Sequence, residues 1–169
     1  MAHVTAKQSV RTALAGGRPR RIPFTAYEEL FPRSAVEREL RNRGLCLVKR
    51  VASYTTHHPN ARTERVSYTD EEGRCLTRTR ISTPYGDLTQ ISEQAAYQLP
   101  WVREHYFKSP ADYRRIRFYI EDTIVASNYA SVAGLEADLG EDFVVRDQIP
   151  LEPLQALISD FMGAEQDPA

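Results

Sequence analysis

Between Arg62 and Ser92 the sequence "RTERVSYTDEEGRCLTRTRISTPYGDLTQIS" takes on a period of two, and this stretch narrows the possible folds more than any other. Successive residues of an extended strand face opposite sides. Glu64, Val66 and Tyr68 therefore share one face of a first strand, and Cys75, Thr77, Thr79 and Ile81 share one face of a second. Asp70-Glu71-Glu72-Gly73 separates the two as a turn. Thr83-Pro84-Tyr85-Gly86 is another turn. The fixed φ of Pro84 suits its second position, Tyr85 disfavours positive φ at the third, and Gly86 suits the fourth, so type I is expected. Asp87 to Ser92 returns as a third strand. Connections this short join antiparallel strands, and the stretch predicts an antiparallel meander over about 62–92. Pro84-Tyr85-Gly86 is a poor phosphate cradle, because such loops need several glycines and open directly into a helix, whereas a strand follows here.

Before the meander the pattern is mixed. Thr5 and Gln8 have the spacing of a capping box, so a helix should run to about Ala15 and end at Gly16-Gly17. Ile22 to Ala26 reads as a short extended run, since Pro19 and Pro23 disfavour helix. Ser34 and Glu37 form a second capping box, opening a helix that reaches Arg43 and stops at Gly44, and Leu45 to Ala52 follows as a strand. The order is β, α, β.

After the meander, 95–108 carries Leu99, Trp101, Val102 and Tyr106 and is expected to be helical beyond Pro100. Ser109-Pro110-Ala111-Asp112 is a helix start, with Ser109 as cap and Asp112 facing the positive end of the dipole. Tyr113, Ile116, Ile120 and Ile124 recur at helical spacing and predict one buried face. A short helix fits 132–139, closed by Gly140. A last helix fits 150–162, with Leu154, Leu157, Ile158 and Phe161 as its stripe, and 164–169 is a polar, flexible tail. Residues 1–163 read as one domain.

Composition supports a soluble, cytoplasmic protein: the chain has 169 residues with a net charge of -1, and no long apolar run or signal-like start. Cys46 and Cys75 lack a CxxC partner and read as free thiols. Residues 1–117 carry 21 of the 22 Lys and Arg against 12 acids, whereas 118–169 carry one Arg against 11 acids. The arginines of the basic part are dispersed among acids, which argues against nucleic acid and leaves an anionic small molecule as a candidate partner. His57-His58 lacks a third metal ligand and reads as a surface pair. A Walker loop, GxGxxG and a serine nucleophile elbow are absent.

The ordered segments "GGRPRRIPF", "STPYGDLTQ", "EHYFKSPADYRRI" and "LGEDFVVRDQIPLEPLQALISDFMG" resemble the N-terminal half of the uroporphyrinogen decarboxylase superfamily, which includes cobalamin-linked methyltransferases. The resemblance implies an α/β fold, α+β in appearance: the N-terminal part of a (β/α)8 barrel with the meander inserted. A whole barrel needs about 250 residues. The implied function is the N-terminal portion of a decarboxylase-like or methyltransferase-like enzyme, incomplete on its own, and the alternative is a non-catalytic domain that associates through apolar surface. "TAYEELFPRS" stands where the decarboxylases carry an arginine pair. No catalytic residue is assigned; Tyr27 and Glu28, just past the first strand, and Asn128 and Tyr129 are the candidate substrate-binding residues. No cofactor or metal is expected in this chain itself. Zinc or a corrinoid would enter only with ligands from a second half, and the expected partners are such a C-terminal-half subunit or a second copy, without nucleic acid or membrane.

Overall fold

The computed structural model describes residues 4–94 and 100–163. Along the chain it has helix α1 (Ala6–Leu14), strand β1 (Phe24–Tyr27), a 3-10 turn (Glu28–Leu30), α2 (Ala35–Asn42), β2 (Leu45–Val51) and β3 (Tyr54–His57). Then come β4 (Arg62–Thr69), β5 (Cys75–Thr83), β6 (Gly86–Glu93), β7 (Trp101–Glu104), α3 (Asp112–Glu121) and β8 (Ile124–Ser127). The chain continues with α4 (Tyr129–Leu139), a 3-10 turn (Gly140–Asp142), β9 (Phe143–Asp147), and α5 (Pro153–Ala156) running into a π-helical turn (Leu157–Met162). These elements form two compact units, Met1–Thr55 with Ala126–Ile149, and Thr56–Val125 with Pro150–Ala169.

The first unit is built on a parallel sheet of order β1-β2-β9. Thr5 and Gln8 close the expected capping box of α1, and Gly16 at φ 77 follows its end. Ser34 caps α2 by accepting from the Glu37 amide, while the Glu37 side chain pairs with Arg41 instead of completing the box. The α2 crossover lays β2 beside β1, Phe24 opposite Leu45 and Tyr27 opposite Val48. Leu45, Cys46 and Leu47 of β2 are fully buried and make the core of this unit with Val10 of α1. A central parallel strand is covered on both faces and therefore reads as a continuous apolar run. Helix α4, which begins three residues earlier than its sequence suggests, has no buried residue at all.

The second unit holds the antiparallel sheet β4-β5-β6-β7. The meander forms with the expected strands, Arg65 opposite Thr79 and Ile81 opposite Leu88. Pro84 and Tyr85 make a two-residue loop between Thr83 and Gly86, and Gly86 takes φ 113. Positive φ directly after such a turn restores the strand twist. Ile81, Leu88 and Ile116 are the core, with Tyr106, Tyr119, Leu157 and Phe161 packed on it.

Several expectations are corrected. The chain does not form the half of a (β/α)8 barrel with an inserted meander: among the described residues there is no closed barrel and no (β/α)8 pattern of successive parallel strands in one sheet, only a three-stranded parallel sheet, a two-stranded sheet and a four-stranded antiparallel sheet. A barrel needs each new strand to return parallel to its neighbour. After β2 the hairpins impose antiparallel pairing, and β8 pairs with β3 rather than with the parallel sheet. The helix expected over 95–108 is replaced over Trp101–Glu104 by β7, whose pairing with β6 outweighs the helical spacing of its apolar residues; Leu99 lies outside the described residues, as does the tail expected at 164–169. On α3 the buried positions are Asp112 and Ile116, with Tyr119 half-buried, whereas Tyr113 and Ile120 are exposed and Ile124 belongs to β8. The last helix is split, with Leu157 and Phe161 packed and Leu154 and Ile158 exposed. No helix among the described residues is long and apolar enough to cross a membrane.

Candidate functional site

β1, β2 and β9 run parallel; β2 and β9 end opposite each other at Val51 and Asp147, and β1 ends three residues earlier at Tyr27, opposite Val48, so their carboxyl ends lie along one edge of the first unit. Tyr27 closes β1. Its hydroxyl accepts a hydrogen bond from Arg146 Nη1 at 2.5 Å, and the Arg50 and Arg146 guanidinium groups lie over its ring, 4.8 and 5.9 Å from the centroid. Alternation explains the grouping: Tyr27 is opposite Val48, Arg50 follows two residues on, and Arg50 is opposite Arg146.

Glu28 and Glu29 leave β1 in a 3-10 turn and point to different partners. Glu28 Oε2 is buried 2.5 Å from the Lys49 ammonium, without hydrogen-bond alignment, and Oε1 lies 3.8 Å from Arg33. Glu29 accepts from Arg50 through both oxygens. That fork holds the Glu29 carboxyl below the usual carboxylate range and raises the Arg50 guanidinium.

Asn128 reaches the same edge from another direction. The Asn128 amide donates to the Ser53 carbonyl at 2.7 Å and its side chain donates to the Ala52 carbonyl at 3.3 Å, which ties the start of α4 to the segment after β2. Ser53 in turn donates to both oxygens of Asp147 at the end of β9, lowering that carboxyl. Tyr27 and Asn128 thus line one edge, linked through Arg146-Asp147 and Ser53, with no direct bond between them. The Tyr129 side chain is 70% exposed and joins neither group.

Lys49, Arg50 and Arg146 are the residues that sequence reasoning missed. Each is a charge at the end of an apolar run, Leu45–Val48 or Phe143–Val145, which is the available signal. Their meeting depends on strand register between segments 96 residues apart.

Other candidates lead elsewhere. His58 stacks on Tyr119 with ring centroids 3.8 Å apart, its Nδ1 3.2 Å from the Tyr119 carbonyl, and His57 sits exposed at the end of β3. Cys46 is buried in β2, and burial pushes its thiol up; Cys75 is exposed on β5. Among the described residues no group of three or more His, Cys, Asp or Glu side chains is placed to hold a metal ion. A groove of 700 Å³ beside α2 is lined by Arg33, Arg38, Arg41, Glu37, Asp138 and Phe143. Its central charges are already matched, Arg41 bridging Glu37 and Asp142 at 2.6 and 2.9 Å. No family model, curated protein or solved structure matches the chain, so the use of the site has to be read from its geometry.

Proposed function

We propose that the chain binds a small molecule along the carboxyl edge of its parallel sheet, supplying one wall of a site. The observation that carries this reading is the convergence of Tyr27, Arg50 and Arg146 from three strands on one face of that edge. Open α/β sheets bind ligands outside the carboxyl ends of their strands, where the crevice opens as the strand order reverses. The order β1-β2-β9 has no reversal, which fits a wall better than an enclosed pocket. The test is a fragment screen read by two-dimensional NMR on the full chain. Hits should perturb amides at Tyr27, Arg50, Ser53, Asn128 and Arg146. Hits that gather on the meander or on the α2 groove instead would overturn the reading.

A second reading, association with a partner subunit or a second copy, is favoured by α4. This helix carries Tyr129, which is exposed, and Val132, Leu135 and Leu139, which are only half-buried, and an apolar helix surface is ordinarily covered more completely. Light scattering over a hundredfold concentration range should then show a mass above that of one chain. A constant mass, with no co-purifying subunit, would count against it.

A further inference from the structure

Arg50 and Arg146 are register partners across β2 and β9. Partners in a parallel pair point to the same side of the sheet, and like charges placed this way repel. The Tyr27 ring beneath them offsets part of that repulsion through its negative face. Glu29 neutralises Arg50. Arg146 has no such relief: among the described residues it forms no ion pair, and its one side-chain hydrogen bond goes to the Tyr27 hydroxyl. The nearest acid in sequence, Asp147, falls on the other face of the strand, and both its oxygens accept from Ser53.

We propose that this edge holds an oxyanion, the carboxylate or phosphate group of a small molecule, with Arg146 as its main donor and the Tyr27 hydroxyl as a second. The class follows from the groups present. A guanidinium is a rigid fork of N–H donors that matches oxyanions two bonds at a time. The Tyr27 oxygen already accepts from Arg146, which leaves its own proton free to donate. An oxyanion would also neutralise the uncompensated member of the Arg50–Arg146 pair. This inference rests on the reading that the carboxyl edge is a small-molecule site.

The experiment titrates inorganic phosphate and succinate into the full chain at matched ionic strength, alongside neutral fragments, and follows backbone amides by NMR. Either oxyanion should shift Tyr27, Arg50 and Arg146 saturably. Arg146→Gln should weaken binding at least tenfold and Arg146→Lys less, while Arg38→Gln on α2 leaves it unchanged; a thermal melt of each variant confirms folding. Preference for phosphate or for succinate identifies the headgroup. Neutral fragments that shift the edge while neither oxyanion does would overturn the oxyanion inference and leave the small-molecule reading standing. Oxyanion binding unaltered in folded Arg146→Gln also overturns it. If nothing shifts the edge, both readings fail.

Discussion

Arg146 donates to the Tyr27 hydroxyl at 2.5 Å, joining residues 119 positions apart in sequence, one at the end of β1 and the other next to the end of β9. Neither residue has an ion-pair partner among the described residues, so the contact defines the site without neutralising it. Tyr27→Phe keeps the ring under both arginines and removes only the hydroxyl. Oxyanion affinity should fall about threefold to tenfold, the worth of one ordinary hydrogen bond, with the melting temperature nearly unchanged. An unchanged affinity would remove Tyr27 from the site.

Glu37 is 6% exposed and depends on Arg41, which also reaches Asp142. Arg41→Met leaves that carboxylate buried without its cation. Because the Arg41 side chain itself is partly exposed, the cost should be about 2 kcal/mol, below the range for a fully buried pair. Arg43→Met breaks the exposed Arg43–Glu39 pair and should cost less than about 0.5 kcal/mol. Urea denaturation compares the two, and equal losses would contradict the assignment.

Burial alone would raise the Asp112 carboxyl, but bonds from the Lys108 and Ser109 amides and from Arg115 outweigh it, and the net shift is downward. A group whose folded pKa is depressed stabilises the fold above its unfolded value, near 3.9, and that contribution is lost as pH falls through the folded value. Asp112→Asn should therefore cost about 2 kcal/mol at pH 7 and progressively less below about pH 4. A penalty that stays constant from pH 7 to pH 2.5 would show that charge is not what Asp112 contributes.

Gly86 has φ 113, and an added Cβ would lie 3.0 Å from Arg115 Nε, which itself donates to the Tyr85 carbonyl. Gly86→Ala should destabilise by about 1–2 kcal/mol. Gly134, inside α4, has open space around its Cβ position, and Gly134→Ala should stabilise by about 0.5–1 kcal/mol. Thermal melts of the two variants should move in opposite directions.

What was legible in the sequence was local. Period two with a Pro-Tyr-Gly corner predicts β5 and β6, because strand alternation and turn geometry are set by neighbouring residues. Thr5, Gln8 and Ser34 mark helix starts for the same reason. The expected barrel fold failed on long-range pairing: nothing in Ile124–Ser127 states that it will pair with β3 rather than extend the parallel sheet. Trp101 and Val102 can serve a helix or a strand, and the open edge of β6 decides for strand.

The candidate site divides along the same line. Tyr27 and Glu28 could be placed past the end of a predicted strand, since a β-α-β order already puts those residues at a carboxyl edge. Arg50 and Arg146 could not, because the facing of two guanidinium groups is a matter of register, and register is fixed only when Val48 packs beside Val144 and β9 closes on β2. By itself the sequence determined turns, caps and alternation, which are short-range steric and hydrogen-bonding effects. Tertiary structure alone decided which charges meet, because their neighbours come from segments that only packing brings together.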